Sequence, residues 1–333
     1  MLKKALLWMI GAVIVVVVVS YVAFKVSPWP SALFFRHIFD KGGIAMAKAM
    51  EKHVPAGVAA QLNEHYVPTD GDAFLDVFYP STIGNTKRTL PTIAWVHGGG
   101  FISGSKDQIA SYLEILAAKG FTTVGVNYSL APGEKYPTPV RQVNAALAYL
   151  VTNAQRLHID DTRLFLAGDS AGAQIAAQVA TVISLPPYAQ DMGIAPSISR
   201  EHLRGVILYC GIYEPRLLNA SGAFGAFLNT VSWSYFGTKD FQSDRSMAQF
   251  SVIRNVSAQF PPMFISAGNS DPLGKHSHLL ATTAASRGVP VDSLFFPADY
   301  APPLSHEYQF DLDTAAGQTA LDRSAKFLAA RSH

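Results

Sequence analysis

The stretch that most constrains the fold is residues 164–172, where four apolar residues lead directly into the pattern Gly-x-Ser-x-Gly. Apolar residues with helical spacing follow, so the segment predicts a strand, a sharp turn and a helix, with Ser170 at the turn. Gly168 and Gly172 let the strand and the helix pass closely, and the turn strains the serine backbone. The helix dipole favours negative charge beside the exposed hydroxyl. The alternative is a serine that only caps the helix.

A second constrained stretch is His97-Gly98-Gly99-Gly100-Phe101, which directly follows the apolar run 91–96. Three successive glycines lose much chain entropy on folding, so this position requires bare backbone. N–H groups that bind the oxyanion of a tetrahedral intermediate have that requirement. The alternative is a flexible loop without a function. His97 fits a residue that braces the loop better than a general base.

The remaining apolar runs predict a parallel sheet. Strands are expected at 91–96, 121–128, 164–167, 204–210, 262–268 and 291–296, with helices at about 107–119, 139–152 and 313–330. Alternation of strand and helix indicates an α/β fold with a mostly parallel sheet and right-handed crossovers. Residues 65–79 alternate around an Asp-Gly-Asp turn and predict a β-hairpin.

A nucleophilic serine needs a base, and the base needs an acid that orients it. Asp271 follows the strand at 262–268, and His306 follows the last strand. Both are therefore expected in loops at the carboxyl edge of the sheet, in the chain order serine, acid, histidine. This order favours a triad of Ser170, Asp271 and His306. The rivals, each at a less suitable place in the chain, are Asp299 as the acid and His276 and His278 as bases.

Composition excludes several classes of protein. The 333 residues are 49% hydrophobic, which is ample for a large core. The net charge is only +2 and no basic stripe is present, so nucleic acid is not an expected partner. The single cysteine, Cys210, lies in an apolar run and predicts a buried, inert thiol without a disulfide. No Cys/His cluster has metal-ligand spacing, so neither a metal nor a cofactor is expected.

The N-terminal segment is a candidate membrane-spanning helix. Lys3 and Lys4 precede the apolar run 5–24, which is long enough to cross about 30 Å of hydrocarbon as a helix. A cleaved signal peptide is the alternative, but the run is longer than is usual and lacks a good cleavage site. We therefore expect residues 1–30 to be a signal anchor with its linker, and residues 31–333 to be the catalytic domain. The lysines favour a domain on the non-cytoplasmic side, although Lys25 weakens this bias.

Two segments are expected to form a cap over the carboxyl edge of the sheet. Residues 31–62 have apolar positions at helical spacing, and residues 213–250 interrupt the strand–helix pattern with many aromatic residues. Ordinary packing on the body is the alternative for both segments. The cap would line a substrate pocket. The candidate substrate-binding residues are Phe224 and Trp233 in the second segment, with His97, Phe101 and Asp169 beside the other motifs.

Together these motifs resemble the hormone-sensitive-lipase-like branch of the α/β-hydrolases. The resemblance is carried by the segments 97–101, 128–132, 168–172 and 271–273 together with His306, and it covers about residue 63 to the C-terminus. It implies the α/β-hydrolase fold, a cap, and carboxylesterase or lipase activity without a cofactor. It also implies that the backbone N–H groups of Gly99, Gly100 and Ala171 bind the oxyanion.

The expected function is therefore a serine carboxylesterase that acts on small-molecule esters with short to medium acyl chains. If His306 is the base, activity is expected to fall below roughly pH 6. An amidase or deacetylase and a lipase remain alternatives, because the same acyl chemistry serves all of them. A ligand-binding protein without catalysis on the same fold is a further alternative, since the fold does not establish the function.

Overall fold

The computed structural model describes residues 2–218 and 222–333, and within them one sheet of eight strands forms. The strands are β1 (Val58–His65), β2 (Phe74–Pro80), β3 (Leu90–Val96), β4 (Thr122–Val126), β5 (Ile159–Asp169), β6 (Leu203–Tyr209), β7 (Met263–Ala267) and β8 (Val291–Phe295). The helices are α1 (Leu2–Val26), α2 (Trp29–Met50), α3 (Ala110–Ala118), α4 (Thr138–Thr152), α5 (Ser170–Ser184), α6 (Pro186–Met192), α7 (Gly222–Phe236), α8 (Ser246–Phe250), α9 (Val252–Asn255), α10 (Gly274–Ser286) and α11 (Ala315–Ala329).

The sheet has the strand order β1-β2-β4-β3-β5-β6-β7-β8. The pairs from β4 through β8 are parallel, whereas β1 with β2 and β2 with β4 are antiparallel. The prediction of a mostly parallel sheet with flanking helices is confirmed. Parallel strands have their carboxyl ends at one edge, so the loops after β3, β5, β7 and β8 meet there.

The hairpin is also confirmed, but its first strand starts earlier than predicted. Residues 58–62, expected in the helical first cap segment, form part of β1 and pair with β2 in the sheet. The helix before them ends at Met50. Pro55 and then Gly57, which has a φ of +91°, prevent the helix from continuing. The first predicted cap segment therefore contains one long helix and then a strand at the edge of the sheet.

The two faces of the sheet have separate cores, because side chains alternate along a strand. In β3, Ala94 and Val96 pack on the face that α4 and α5 cover. Ile93 and Trp95 of the same strand pack on the other face, with residues of α3 and α11. Helices on both faces bury the sheet, as a parallel sheet requires.

Helix α1 differs from the rest of the chain, because its apolar side chains are exposed. Its segment Lys3–Val26 has a mean hydropathy of 2.7 over its most apolar window, none of which is buried, and it is long enough to cross a membrane. Helix α2 begins three residues after α1 ends and packs against α7. The rings of Phe35 and Phe39 contact Phe227 of α7, with centroids 5.2 and 5.1 Å apart.

Candidate active site

The predicted turn after β5 is present and strained. Ser170 is the first residue of α5 and has a φ of +50°, which residues other than glycine rarely adopt. A Cβ on Gly168 would lie 2.6 Å from the carbonyl carbon of Gly172. One on Gly172 would lie 2.0 Å from the carbonyl oxygen of Val96 in β3. Both glycines are therefore needed for α5 to pass so close to the sheet.

The structure brings Ser170, His306 and Asp271 together at the carboxyl edge. The Ser170 hydroxyl donates to Nε2 of His306 at 2.9 Å. Nδ1 of His306 lies 3.0 Å from each carboxylate oxygen of Asp271 and donates to this carboxylate. The backbone N–H of Leu273 donates to the same carboxylate at 2.8 Å. A hydroxyl, an imidazole and a carboxylate in this order can activate the hydroxyl as a nucleophile.

The contact between His306 and Asp271 shifts the pKa values of both residues. Burial alone would raise the pKa of Asp271, but the hydrogen bond and charge of His306 lower it overall. Burial alone would lower the pKa of His306, but the Asp271 hydrogen bond and the charge of Glu307 raise it to about 9. The acid is therefore held ionised, and the imidazole is a stronger base than a free histidine.

The rival residues lie elsewhere. Nδ1 of His276 accepts weak bonds from the backbone N–H groups of Tyr213 and Glu214, both at 3.3 Å, and burial lowers its pKa to about 4. The ring of His278 stacks on Phe295, with centroids 3.9 Å apart. Asp299 is exposed. Of the rivals, none forms a hydrogen bond or an ion pair with Ser170 or His306 within the described residues.

The glycine loop lies beside Ser170 and has the backbone that only glycine adopts readily. Gly99 and Gly100 have φ values of +108° and +61°. Their N–H groups donate to no other group in the described part of the chain. Ala171 is the second residue of α5, so helix geometry leaves its N–H without an intrahelical acceptor. All three residues line the same cavity as Ser170.

Asp169 borders the cavity, and its hydrogen bonds indicate a role that the sequence did not predict. One carboxylate oxygen accepts from Nε1 of Trp95 and the other from the backbone N–H of Gly98, both at 2.7 Å. Although Asp169 borders the cavity, these bonds make it the residue that ties the glycine loop to the serine turn. Its side chain is buried, so a direct bond to substrate is not its main contact.

The other predicted substrate-binding residues divide into two groups. Phe224 lines the cavity, and His97 borders it as a buried ring stacked on Tyr128 and bonded to the carbonyl of Gly98. Burial lowers the pKa of His97 to about 4, which agrees with a bracing role and not with a general base. Phe101 and Trp233 do not line the cavity in the described part of the chain, so their assignment to substrate binding stays a prediction that the cavity does not support.

Packing explains why these two residues lie away from the cavity. Phe101 is buried against Tyr235 behind the cavity wall, with ring centroids 4.0 Å apart. Trp233 lies on another side of α7, where the ammonium of Lys239 sits 4.3 Å from its ring centroid. The same ammonium donates to the backbone carbonyl of Lys25 near the end of α1. Aromatic composition indicated that α7 borders a pocket but not which of its faces does so.

The cavity above Ser170 has a volume of about 700 Å³ and mostly apolar walls. Helix α2 and helix α7 form much of its lining, with Phe35, Ile38, Phe39, Met46, Phe227 and Leu228. The sequence indicated an amphipathic helix in this region but not which of its residues face the serine. Such a cavity suits a small, largely apolar ligand.

Glu307 is a site residue that the sequence reasoning missed. Its Oε1 lies 3.8 Å from Nε2 of His306, and its side chain lines the cavity. A Cβ on Gly98 would meet Asp169 Oδ2 at 2.2 Å and Glu307 Oε1 at 2.7 Å, so the two carboxyl groups lie on the same side of Gly98. Burial, and then the charge of Glu307, raise the pKa of Asp169 well above its usual value. Its position directly after His306 was the only signal in the sequence.

One group of side chains has the right types for a metal ion. Among the described residues, Cys210, Asp271 and His306 have ligand atoms within 4.8 Å of one another. Burial and the charge of Asp271 raise the pKa of the Cys210 thiol, so the thiolate that a metal would need is disfavoured. Asp271 and His306 are also bonded to each other, which leaves this group poorly suited to zinc.

Comparison with known proteins agrees with the fold described above. The sequence model of a family described as having the alpha/beta hydrolase fold matches residues 93–300, more than half of the chain. The match supports the resemblance to the hormone-sensitive-lipase-like branch.

Solved structures of esterases share the fold. An inhibited esterase B from Lactobacillus rhamnosis has a TM-score of 0.75 at 22% identity, and the alignment covers 90% of this chain and 97% of that one. An esterase from Pyrobaculum calidifontis has a TM-score of 0.70 at 22% identity, with 90% and 93% covered. The thermostable carboxylesterase EstE1, cloned from a metagenomic library, has a TM-score of 0.71 at 20% identity, with 93% and 99% covered.

Proposed function

The chain belongs to the α/β-hydrolase fold family, in its hormone-sensitive-lipase-like branch, and on this basis we propose that it is a serine carboxylesterase. The observation that carries the proposal is the hydrogen-bonded series Ser170–His306–Asp271 in the wall of an apolar cavity. The esterase activity of its structural neighbours is consistent with the proposal.

In the proposed mechanism the Ser170 oxygen attacks the ester carbonyl while Nε2 of His306 accepts its proton. Asp271 holds the ring and stabilises the imidazolium. His306 then returns the proton to the alcohol oxygen as the bond to the acyl carbon breaks. Water attacks the acyl-enzyme by the same steps and releases the acid and the free serine.

We assign oxyanion binding to the N–H groups of Gly99, Gly100 and Ala171. Asp169 supports this assignment, because it fixes Gly98 at the start of the loop without using the N–H groups of the next two glycines. One such donor contributes typically ~3 kcal/mol to transition-state stabilisation. The glycine conformations matter here, since a Cβ on Gly99 would lie 2.1 Å from the carbonyl oxygen of Ser103.

A panel of p-nitrophenyl esters from acetate to palmitate tests the substrate class. We expect kcat/KM to be highest between butanoate and octanoate, because the cavity is apolar but limited to about 700 Å³. Matched p-nitroanilides and a triacylglycerol emulsion serve as controls for the amidase and lipase alternatives. Faster turnover of the anilides, or activity only on the emulsion, would replace the carboxylesterase assignment. No turnover of any substrate would favour a ligand-binding protein.

The pH dependence of kcat/KM tests the base. His306 must be neutral to accept the proton from Ser170, and its surroundings raise its pKa to about 9. We therefore expect kcat/KM to fall with acidification from well above the usual imidazole range, and not only below pH 6 as the sequence suggested. In the variant Glu307→Gln, the acidic decline of kcat/KM should shift toward lower pH. The substitution removes a negative charge 3.8 Å from Nε2 of His306 and so lowers the pKa of this residue.

The matched control for this profile is Glu51→Gln, which neutralises an exposed carboxylate outside the cavity lining. The decline of its kcat/KM with acidification should coincide with that of the unmodified protein. A profile with the ordinary imidazole midpoint in both the unmodified protein and Glu307→Gln would count against this account of His306.

We further propose that α1 anchors the protein in a membrane, with the catalytic domain on the non-cytoplasmic side. The length and exposure of α1 support an anchor, although a signal sequence would have a similar composition. Trp29 starts α2, and Trp233 is joined to the end of α1 through Lys239. Tryptophan and lysine side chains at the end of an apolar helix are typical of a membrane–water interface.

A further inference from the structure

Carboxyl groups outnumber cationic groups around the cavity. Among its described lining residues, the ionisable side chains are His97, Asp169, His306 and Glu307, and neither lysine nor arginine is present. Asp271 adds a third carboxyl group behind His306. His306 must be neutral to accept the proton of Ser170, and in that state no cationic side chain lines the described part of the cavity. The carboxylates then set a negative potential between apolar walls, where the ester reacts.

Glu307 is the carboxyl group that a substrate can reach. Asp271 has a side chain with 0% exposure, and Asp169 is bonded to Trp95 and Gly98. Glu307 keeps 26% of its side chain exposed, and no lysine or arginine pairs with it in the described part of the chain. Its neighbours are the carboxyl group of Asp169, whose pKa it raises, and Nε2 of His306. When His306 is neutral, a cationic substrate group can therefore supply the positive charge that Glu307 lacks.

The backbone holds Glu307 in this position at a cost. Its φ is +60°, a conformation that favours glycine or asparagine, and its N–H donates to Sγ of Cys210 at 3.4 Å. Residues in rare conformations are often found where function requires them. Here the conformation places a charged side chain between the base His306 and the glycine loop.

We propose that Glu307 selects esters whose alcohol carries an ammonium group close to the ester oxygen. This inference rests on the proposed function and names its substrate class. Nε2 of His306 must lie beside the alcohol oxygen to protonate it, and Oε1 of Glu307 lies 3.8 Å from Nε2. An ammonium two methylene groups from that oxygen can therefore approach Glu307, while the acyl chain occupies the apolar part of the cavity. Glu307 is then a specificity-determining residue.

Three esters of similar shape test this selection. Dimethylaminoethyl butanoate is cationic at neutral pH, isopentyl butanoate is its neutral isostere, and carboxypropyl butanoate is anionic. We expect kcat/KM to be about tenfold higher for the cationic ester than for the neutral one, and lower still for the anionic ester. In Glu307→Gln the cationic-to-neutral ratio should fall close to one. In the control Glu51→Gln this ratio should stay as in the unmodified protein.

The ratio separates a role in selection from a structural one, because a general loss of activity would lower all three values alike. Competitive inhibition of the unmodified protein by dimethylaminoethanol and by isopentyl alcohol gives a second measurement that needs no variant. Tighter inhibition by the cationic alcohol is expected. Equal turnover of the cationic and neutral esters, or equal inhibition by the two alcohols, would overturn the proposal.

Failure of the proposed esterase function would give a different result from failure of the selection by Glu307. Without esterase activity, neutral p-nitrophenyl butanoate would not be hydrolysed at all. If it is hydrolysed while the three esters show no order by charge, the esterase assignment stands and the selection by Glu307 does not.

Discussion

Replacing Ser170 with alanine is expected to abolish ester hydrolysis, with kcat reduced by about a millionfold. The Ser170 oxygen is the only protein atom that bonds to the acyl carbon in the proposed mechanism, and it lies 2.9 Å from Nε2 of His306. Alanine leaves the strained turn without a nucleophile. Activity toward p-nitrophenyl butanoate, measured with enough protein to detect a few turnovers, gives the result.

Ser305→Ala is the matched control, because it removes an exposed hydroxyl next to His306 outside the cavity lining. It should keep the activity of the unmodified protein. Thermal unfolding should show that Ser170→Ala remains folded. A phosphonate ester should add one phosphonyl group to the unmodified protein, seen by mass, and none to Ser170→Ala. Residual hydrolysis near the unmodified rate would remove Ser170 from the mechanism.

Asp271→Asn is expected to lower kcat by about ten thousandfold while the fold is kept. The carboxylate accepts from Nδ1 of His306 at 3.0 Å and so holds the proton off Nε2. An amide can donate to Nδ1 instead, which places the ring proton on Nε2, where it blocks acceptance from Ser170. The loss should appear in kcat more than in KM, because Asp271 does not contact the substrate.

Asp299→Asn is the control for this prediction, since Asp299 was the rival acid and is exposed on the loop before His306. It should have little effect on kcat. Similar large losses in both variants would point to a general effect of charge on the loop. A large loss in Asp299→Asn alone would exchange the roles of the two carboxylates.

The comparison of Asp271 with Asp299 also shows how much of the site the sequence predicts. Strand order along the chain favoured Asp271 over Asp299, because one follows an inner strand and the other follows the last strand. The sequence could not show that the Asp271 side chain loses all exposure, or that His306 contacts Asp271 with one ring nitrogen and Ser170 with the other. Those contacts depend on the relative positions of β5, β7 and β8.

The two cap segments show a different limit of prediction from the sequence. Apolar spacing indicated a helix before the sheet, but it did not predict the end at Met50 or the entry of residues 58–62 into β1. Aromatic composition indicated that residues 213–250 border a pocket, yet it assigned both Trp233 and Phe224 to substrate binding. The structure separates them, because the two residues point from α7 in different directions.

The sequence by itself determined the α/β class, the strained turn at Ser170 and the need for bare backbone at Gly99 and Gly100. These features follow from local sterics and from the period of apolar residues, both of which are written in consecutive residues. Only the tertiary structure decided that Asp169 braces the glycine loop and that Glu307 faces the cavity beside His306. Gly98 is far in the chain from both Asp169 and Glu307, and the distances between these residues depend on how the sheet and helices pack together.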